Sequence, residues 1–421
     1  MDIRITPAPL CGTLRAIASK SDAHRCLICA ALCDTPTEVV ISTLNRDIEA
    51  TMGCLAALGA EFSQIQAGVW RVRPISQPSN QAVLDCCESG STLRFLLPVA
   101  AALCQNIRFV GVGRLPNRPL SPLREEMALH GCCFDGIQLP FTMSGTLRAG
   151  TFTLPGDISS QYITGLLFAL PLLAGDSHII LTTPLESAGY VAMTLRTLAR
   201  FNIEITALPN GGGYHIKGGQ RYGSPGRVTA EGDWSNAAFW LAAGAICAPV
   251  AVTALDVDTV QGDRKIIPLL QRFGAQAEID RGRAVVSPQA LRGIDIDAAE
   301  IPDLVPILAV VACATVGTTQ ITHAARLRIK ESDRLRTMTE ALNALGGRVS
   351  EQADGLIIEG TGGLRGGVVN SFNDHRIAMA VSIASAICAE DVIIQDAAAV
   401  EKSYPNFFED FKKMGGKVDV I

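Results

Sequence analysis

The stretch Leu55-Ala-Ala-Leu58-Gly59 ends an amphipathic pattern with a large side chain followed by glycine, and the same ending returns along the chain. Glycine or asparagine at this place accepts the left-handed conformation that stops a helix. The endings are Leu58-Gly59, His130-Gly131, Phe201-Asn202, Phe273-Gly274, Leu345-Gly346 and Met414-Gly415. They lie about 70 residues apart, a period longer than that of common solenoid repeats. The spacing predicts six copies of one structural unit, which we call repeats.

A second, more apolar helix is predicted to precede each ending. Its first turn is usually capped by a Ser, Asn or Asp side chain. The predicted starts are Ser21, Ser89, Ser159, Ser235, Pro302 and Asp374. Strand-like runs such as His178-Ile-Ile-Leu181 lie between the two helices, and runs such as Gly355-Leu-Ile-Ile-Glu359 follow the ending. Because one α/β repeat cannot cover both faces of its own sheet, we expect two domains of three repeats each.

Composition limits the kinds of partner. The chain has 421 residues, 48% of them hydrophobic, which suits two or three domains. With 36 basic and 41 acidic side chains, its formal charge of -5 does not favour nucleic acid or an anionic membrane. The first residues lack a charged region followed by a long apolar run, and later apolar stretches are short or interrupted. We therefore expect a cytoplasmic protein with no membrane or nucleic-acid partner.

The cysteines and glycines do not indicate a cofactor. Thirteen cysteines, an odd number, favour free thiols in a reducing compartment. Cys26 and Cys29 form a C-x-x-C pair, but no second pair or histidine completes a tetrahedral zinc site. With Cys33 they follow helical spacing among apolar residues, which is typical of buried thiols. Phosphate-loop and dinucleotide-binding glycine motifs are both absent, so nucleotide binding loses its usual support.

The predicted helix starts are more polar than capping requires. A helix N-terminus offers unpaired N–H groups and positive potential, and adjacent hydroxyl and cationic side chains complete a site for phosphate or carboxylate. The polar residues at these starts are Lys20, Ser21, Arg25, Glu88, Ser89, Arg94, Ser159, Ser160, Gln161, Asp374, His375 and Arg376. Any one serine is explained as an ordinary N-cap, but the repetition with cations indicates anion binding.

Two charged segments and one aspartate add to this pattern. Residues 114–119 and 326–334 are dense in charge, and the second segment is predicted to open a helix after the strand-like run Thr319-Gln-Ile-Thr322. Asp303 lies at the start of a very apolar helix. Desolvation would make its carboxylate a base, whereas nearby cations would oppose this, and a helix-start Asp also stabilises the helix dipole. The residues alone leave both interpretations of Asp303 open.

Ten short motifs, spread over all six repeats, carry a resemblance to a known family. They are Ser19-Lys-Ser-Asp-Ala-His-Arg25, Glu88-Ser-Gly-Ser-Thr-Leu-Arg94, Asn117-Arg-Pro119, Gly156-Asp-Ile-Ser-Ser-Gln161, Glu186-Ser-Ala-Gly-Tyr190, Glu231-Gly-Asp233, Ile301-Pro-Asp303, Arg328-Ile-Lys-Glu-Ser-Asp-Arg334, Asn373-Asp-His-Arg376 and Lys402-Ser-Tyr-Pro405. In this order they resemble the 5-enolpyruvylshikimate-3-phosphate synthases. The resemblance implies the two-domain α/β enolpyruvyl transferase fold, with residues 15–228 in one domain, residues 1–14 and 229–421 in the other, and an active site in the cleft between them.

The resemblance also implies two anionic substrates, shikimate 3-phosphate and phosphoenolpyruvate. The implied shikimate 3-phosphate ligands are Lys20, Ser21, Arg25, Ser159, Ser160, Gln161, Ser187, Asp303 and Lys330. The implied phosphoenolpyruvate ligands are Lys20, Gly90, Arg118, Gln161, Arg334, Arg376 and Lys402. Such cations and hydroxyl groups would offset the repulsion between two phosphates and two carboxylates. Gly90 would let the ligand approach the backbone closely. Alanine at this position is therefore expected to crowd the phosphoenolpyruvate site and to weaken inhibition by glyphosate.

In the implied reaction, the 5-hydroxyl adds to C2 of phosphoenolpyruvate as C3 gains a proton, and the tetrahedral intermediate then eliminates phosphate. The resemblance implies that no metal or other cofactor is needed. Asp303 and Glu331 are the implied proton-handling carboxylates, and Lys20 would assist at the hydroxyl or the leaving phosphate. Domain closure would exclude water, and a monomer is the family's usual state.

Two alternatives are weighed against this interpretation. The UDP-N-acetylglucosamine enolpyruvyl transferases share the fold and the donor, but they carry a cysteine acid in a glycine-rich loop, and residues 111–118 contain no cysteine. An inactive α/β binding protein would be expected to lose Asp303, Glu331 or Lys20, all of which are present. Glu88 and Arg326 stand where some members of the family have Asn, so we assign these two side chains no substrate contact.

Overall fold

The computed structural model describes all residues from Met1 to Ile421 and contains six four-stranded sheets of one topology. In each sheet the first and second strands are parallel, and the fourth strand lies antiparallel between the second and the third. In every sheet one helix connects the second strand to the third, and in four of the six sheets another helix connects the first strand to the second. In the other two sheets the first strand comes from a distant part of the chain. The six repeats expected from the sequence are therefore confirmed as one β-α-β-α-β-β unit.

Twelve α-helices, two for each repeat, begin and end close to the predicted positions. The first helices are α1 (Lys20–Ala31), α3 (Gly90–Leu103), α5 (Ser160–Ala169), α7 (Trp234–Ile246), α9 (Val305–Cys313) and α11 (His375–Ala384). The second helices are α2 (Arg46–Leu58), α4 (Leu123–Leu129), α6 (Ala188–Arg200), α8 (Ile266–Phe273), α10 (Arg334–Ala344) and α12 (Phe407–Lys413). A residue with positive φ follows each second helix, namely Gly59, Gly131, Asn202, Gly274, Gly346 and Gly415. These left-handed residues end the helices as the sequence predicts.

Three of the six sheets take all four strands from continuous sequence. Their strands are β6 (Val83–Asp85), β7 (Asn106–Val110), β8 (Cys132–Phe134) and β9 (Phe141–Gly145); β10 (Thr151–Leu154), β11 (Ser177–Leu181), β12 (Ile205–Ala207) and β13 (Gly213–Ile216); and β18 (Asp295–Asp297), β19 (Val316–Thr322), β20 (Val349–Gln352) and β21 (Gly355–Thr361). Each of these repeats can form its whole sheet from one stretch of chain.

The other three sheets each take one strand from a distant part of the chain. The strand β14 (Arg227–Thr229) joins β3 (Thr37–Val40), β4 (Glu61–Gln66) and β5 (Val69–Arg73); β2 (Gly12–Arg15) joins β15 (Val250–Thr253), β16 (Gln276–Asp280) and β17 (Arg283–Ser287); and β1 (Ile3–Thr6) joins β22 (Gly367–Asn370), β23 (Val392–Gln395) and β24 (Lys417–Val420). The chain thus begins in the group of three repeats that contains β15–β24, then forms the three repeats that contain β3–β13, and returns to the first group after β14.

This strand exchange divides the chain into two compact domains. Domain 1 comprises Met1–Ser19 and Glu231–Ile421, and domain 2 comprises Lys20–Ala230. These boundaries lie a few residues beyond those expected at 14/15 and 228/229. Arg15, the last residue of β2, still pairs with Thr253 of β15, and the amide of Ala230 donates to the carbonyl of Val40 at 3.0 Å. The hydrogen bonds at the ends of β2 and β14 therefore fix the observed boundaries.

Helices buried on all sides form the centre of domain 1. Helices α7, α9 and α11 pack against one another, and every residue of α9 and α11 is buried. In domain 2, α3 packs against α5, while α1 packs against α2 and α6. The apolar stretches noted in the sequence form the short buried helices α5 and α9, as expected. None of the twelve helices combines the length and apolar character that a bilayer crossing requires.

The expected helix at residues 326–334 begins later than the charge pattern predicts. Residues Ala325–Ile329 form a 3-10 turn, and α10 begins only at Arg334. The carboxylate of Asp333 caps α10 by accepting from the amide of Arg336 at 3.3 Å. Asp333, the cap residue, has non-helical backbone angles, so the helix cannot extend back past it. Lys330 and Glu331 therefore lie in the connection between the 3-10 turn and α10.

All thirteen cysteines are free thiols, and nine of them are buried. Cys26 and Cys29 lie buried on α1, and burial raises the pKa of the Cys29 thiol well above its usual value. A thiol with a raised pKa is a weak nucleophile and a poor metal ligand. Cys26 and Cys29 therefore act as small apolar side chains buried on α1, as the helical spacing of the C-x-x-C pair indicates.

Candidate active site

Arg334 is the centre of a buried ion-pair cluster in domain 1. Its guanidinium is 1% exposed, with Nε 2.8 Å from Asp374 Oδ2, Nη1 3.0 Å from Asp303 Oδ1 and Nη2 2.7 Å from Glu331 Oε2. Burial alone would lower the pKa of Arg334, but the three carboxylates together raise it above its usual value. The arginine is therefore permanently charged and fixed in orientation by charge-assisted hydrogen bonds.

The carboxylate of Asp303 bridges two arginines. Its Oδ1 accepts from Arg334, and its Oδ2 lies 3.0 Å from Arg376 Nη2. A second donor of Arg376, Nη1, reaches the backbone carbonyl of Asp303 at 3.0 Å. Asp303 lies in the 3-10 turn Pro302–Leu304 before α9, and Arg376 lies in the first turn of α11. Two helix starts thus bring a candidate base and two candidate anion ligands into contact.

Two lysines lie around the same cluster. Lys402 Nζ donates to the carbonyl of Asn373 at 2.6 Å, directly before the buried Asp374. Desolvation lowers the pKa of Lys330 to about 8, although the charge of Asp303 acts in the opposite direction. The site residues that the sequence predicts for this domain therefore lie in this cluster or beside it: Asp303, Lys330, Glu331, Arg334, Arg376 and Lys402.

Sequence reasoning missed Asp263 in this domain. Its side chain is buried and accepts a short hydrogen bond from the Ser235 hydroxyl. Burial and then the nearby charge of Asp303 raise the pKa of Asp263 to about 7. Asp263 lies in the 3-10 turn Gly262–Lys265, which the helix pattern does not mark, so the sequence carries no signal that would single out this carboxyl group.

In domain 2, Gly90 begins α3 beside two guanidinium groups. A Cβ atom at this position would lie 2.5 Å from Arg94 Nη1 and 2.6 Å from Arg118 Nη1, closer than real contacts allow. Arg94 Nη1 also lies 3.3 Å from Gln161 Oε1, and Gln161 Nε2 donates to the Ser91 hydroxyl at 2.9 Å. The absent side chain of Gly90 thus lets two cations approach the first turn of α3, where backbone N–H groups also favour an anion.

Arg25 connects α1 to α6 inside domain 2. It is 2% exposed, its Nε donates to the Thr194 hydroxyl at 2.9 Å, and its Nη2 donates to the Tyr190 carbonyl at 2.9 Å. Burial lowers the pKa of Arg25 to about 10, which leaves it charged at neutral pH. Ser187, directly before α6, is buried and has a φ of 55°. A non-glycine residue in this region is strained and marks a segment held by its surroundings.

Lys20, the first residue of α1, pairs with a carboxylate that the sequence did not single out. Its Nζ lies 2.8 Å from Asp47 Oδ2, in the first turn of α2. Ser159 caps α5 by accepting from the amide of Gln161 at 3.3 Å, so the ordinary capping interpretation describes this serine. Five of the other predicted residues of domain 2 lie at or directly before helix starts: Ser21, Gly90, Ser160, Gln161 and Ser187. Arg25 lies in the second turn of α1, and Arg118 directly follows the 3-10 turn Leu115–Asn117.

Comparison with known proteins places relatives along the whole chain. The family model described as EPSP synthase (3-phosphoshikimate 1-carboxyvinyltransferase) matches residues 5–411. The 3-phosphoshikimate 1-carboxyvinyltransferase of Clostridium novyi (strain NT) is 42% identical over 429 residues, covering 99% of this chain and 98% of the relative. The protein of the same name from Clostridium beijerinckii (strain ATCC 51743 / NCIMB 8052) is 43% identical over 431 residues, with the same coverage.

Solved structures share the fold at lower sequence identity. An EPSP synthase from Acinetobacter baumannii superposes with a TM-score of 0.81 at 24% identity and covers 100% of both chains. The enolpyruvyl transferase NikO from Streptomyces tendae has a TM-score of 0.79 at 17% identity and covers 99% of this chain and 98% of its own. The two-domain enolpyruvyl transferase fold expected from the sequence is thereby confirmed.

Proposed function

The chain belongs to the EPSP synthase family, and from this premise we propose that it transfers the enolpyruvyl group of phosphoenolpyruvate to the 5-hydroxyl of shikimate 3-phosphate. The observation that carries the proposal is the cluster around Arg334. Asp303 and Glu331 can move protons, and Arg334 and Arg376 beside them can hold an anionic substrate. One arrangement thus combines proton transfer with charge neutralisation, which this reaction requires.

We assign the shikimate 3-phosphate and phosphoenolpyruvate ligands as the resemblance implies. The geometry in each domain supports the assignment, because the assigned cations are already fixed in place by neighbouring groups. Arg25 is held by α6, and Arg334 is held by three carboxylates. Preorganised cations bind an anion without the entropic cost of ordering long side chains. The cleft location, the monomeric state and the cytoplasmic location stay predictions.

The proposed reaction begins with an exchange of partners at the arginines. The carboxylate of phosphoenolpyruvate would compete with Asp303 for Arg334 and Arg376. A carboxylate held by two guanidinium groups is a weaker proton acceptor than a released one, so donor binding would prepare Asp303 to act. The 5-hydroxyl then bonds to C2 as it loses its proton and C3 gains one. Loss of a C3 proton and of phosphate from the intermediate restores the double bond.

Release of inorganic phosphate tests the proposal directly. The protein is incubated with phosphoenolpyruvate alone, with added shikimate 3-phosphate, or with UDP-N-acetylglucosamine as the competing acceptor. We expect release only with shikimate 3-phosphate. Release only with the nucleotide sugar would assign the chain to the other branch of enolpyruvyl transferases. Absence of release with either acceptor would favour an inactive binding protein.

The pH dependence of kcat/KM for shikimate 3-phosphate is expected to follow the protonation of Lys330. Its pKa is lowered to about 8, so the ammonium is present below that pH and is lost as the pH rises through it. Because the proposed ligand is an anion, kcat/KM for shikimate 3-phosphate should fall by up to about tenfold per unit above this pH. The measurement is an initial-rate profile between pH 6.5 and about 9.5. In Lys330→Arg, whose side chain stays charged, the alkaline fall should disappear; an unchanged fall would assign it to another group.

Gly90→Ala is expected to weaken the binding of phosphoenolpyruvate and to leave the binding of shikimate 3-phosphate nearly unchanged. The new Cβ would displace the guanidinium ends of Arg94 and Arg118, and loss of one charge-assisted contact raises KM about tenfold. Inhibition by glyphosate should weaken in parallel, while KM for shikimate 3-phosphate should change little. Initial rates with each substrate varied in turn give both values. Gly53→Ala is the matched control, because a Cβ there meets nothing within 4 Å; similar KM values in both variants and the parent would contradict the placement of Gly90.

A further inference from the structure

A chain of buried side-chain hydrogen bonds connects three helices of domain 2. His24 Nδ1 on α1 lies 2.7 Å from the Thr51 hydroxyl on α2, which lies 2.7 Å from the Thr92 hydroxyl on α3. The Thr92 hydroxyl donates to the Ser89 hydroxyl at 2.7 Å. His24, Thr51, Thr92 and Ser89 are at most 1% exposed. We call these four residues the relay.

The relay has a defined direction. Burial, together with Lys20 and Arg25, lowers the pKa of His24 well below its usual value, so the ring is neutral and carries one N–H. Its Nε2 is buried and has no hydrogen-bond partner. An orphaned buried N–H is rarer than an under-satisfied acceptor, which assigns the proton to Nδ1. His24 then donates to Thr51, Thr51 donates to Thr92, and Thr92 donates to Ser89.

The relay ends at the first turn of α3. Ser89 is the N-cap of that helix and also accepts from the amide of Thr92 at 3.2 Å. The next residue is Gly90, beside the guanidinium groups of Arg94 and Arg118. Thr51 lies on α2 one turn after Asp47, whose carboxylate accepts from Lys20 Nζ at 2.8 Å. The relay and the Lys20–Asp47 ion pair thus share α2, which connects the position of Lys20 to that of Gly90.

Packing alone gives no reason for this network. A polar chain between buried helices is costly unless every member is satisfied, and an apolar contact of similar shape is often as stable. Here one ring nitrogen stays unsatisfied, which is uncommon in buried side chains. Departures from local packing rules are concentrated at functional sites.

We propose that His24, Thr51 and Thr92 are positioning residues that hold the Ser89–Gly90 helix start in register with Lys20, and so set the geometry of the anion site that takes phosphoenolpyruvate. The inference rests on the proposed function only in its choice of ligand. None of the three side chains is assigned a contact with substrate or with the reacting atoms. Loss of the relay should therefore weaken phosphoenolpyruvate binding while the chemical step and the other substrate are little affected.

The test is Thr51→Val, which removes the central hydroxyl and keeps the shape of the side chain. Calorimetric titration with phosphoenolpyruvate should show a Kd raised about tenfold, the effect of one hydrogen-bonded contact to a charged ligand. Steady-state rates should show the same rise in KM for phosphoenolpyruvate, with kcat and KM for shikimate 3-phosphate within about threefold of the parent. Thr51→Ser, which keeps the hydroxyl, should restore both constants.

Thr315→Val is the control for loss of a buried threonine hydroxyl. Thr315 is fully buried in domain 1, where its hydroxyl donates to the carbonyl of Ala312 at 2.8 Å. The Thr315→Val protein should have a lower melting temperature than the parent but the same Kd for phosphoenolpyruvate. A Thr51→Val protein with unchanged Kd, or with all constants altered alike and no rescue by serine, would overturn the proposal.

A second pair of variants covers the case in which Thr51→Val does not fold. His24→Asn places an amide donor near the position of Nδ1 and should keep the parent Kd, whereas His24→Leu should raise it as Thr51→Val does. Equal Kd values in these two variants would also overturn the proposal. The titrations are independent of turnover, so absent phosphate release by the parent protein counts only against the proposed function, and absent binding of phosphoenolpyruvate counts against both.

Discussion

Arg334→Met is expected to lower the free energy of unfolding by about 3–5 kcal/mol, because removal of one partner leaves buried charges without compensation. Asp374 is fully buried, and the opposing effects of burial and Arg334 leave its pKa below the usual value. Without Arg334, that carboxylate keeps the Ser332 hydroxyl and the Arg376 amide, each 2.9 Å away, and His375 Nδ1 at 4.0 Å, but no guanidinium. Urea unfolding followed by circular dichroism measures the loss, and phosphate release should fall to background because the proposed anion ligand is gone.

Arg328→Met is the matched control for a lost arginine. Arg328 also pairs with two carboxylates, Asp333 at 3.0 Å and Glu351 at 2.6 Å, but its side chain is 30% exposed. Solvent screens such pairs, so its loss should cost no more than about 1 kcal/mol. The folded pKa of Asp374 is depressed, so the stabilisation by Arg334 is present above about pH 4 and fades as the pH falls further. Equal losses in the two variants, or a pH-independent difference, would contradict the assigned role of Arg334.

The sequence could predict the repeats because each helix ending depends on local chemistry. A residue that accepts a positive φ must follow each second helix, and Gly59, Asn202 and Gly415 meet this need without help from distant residues. The exchange of strands is different. Strand β14 has three residues and pairs with β3, which lies some 190 positions earlier, Arg227 facing Glu38. Such a pairing leaves no periodic signal, and only the resemblance implied it.

The site was predictable to the extent that it lies at the starts of first helices. Capping preferences mark these positions, so Lys20, Gln161 and Arg376 were found. The missing residues lie elsewhere. Asp47 and Thr51 belong to a second helix, and their partners are brought close only by packing between helices. The start of α10 was placed too early because charge density does not show which carboxylate acts as the cap.

Asp303→Asn is expected to lower kcat by about 10²–10⁴-fold, the range typical for loss of a general base. The amide keeps the shape of the side chain, so Arg334 and Arg376 should remain in place, but it cannot take up the proton of the 5-hydroxyl. It also competes less strongly for the two guanidinium groups than the carboxylate does. Binding of phosphoenolpyruvate, measured by calorimetry, should therefore be equal to or tighter than in the parent while phosphate release nearly stops.

Two comparisons separate proton transfer from a general effect of charge. Asp297→Asn removes an exposed carboxylate that lies 3.1 Å from His323 Nδ1, and it should leave kcat unchanged. Glu331→Gln should lower kcat as Asp303→Asn does, and if the two carboxylates serve one addition step, the double variant should lose far less than the product of the single losses. Near-normal turnover in Asp303→Asn would remove this residue from the proton transfer, and its pairing with two arginines would then serve only to hold the helix starts together.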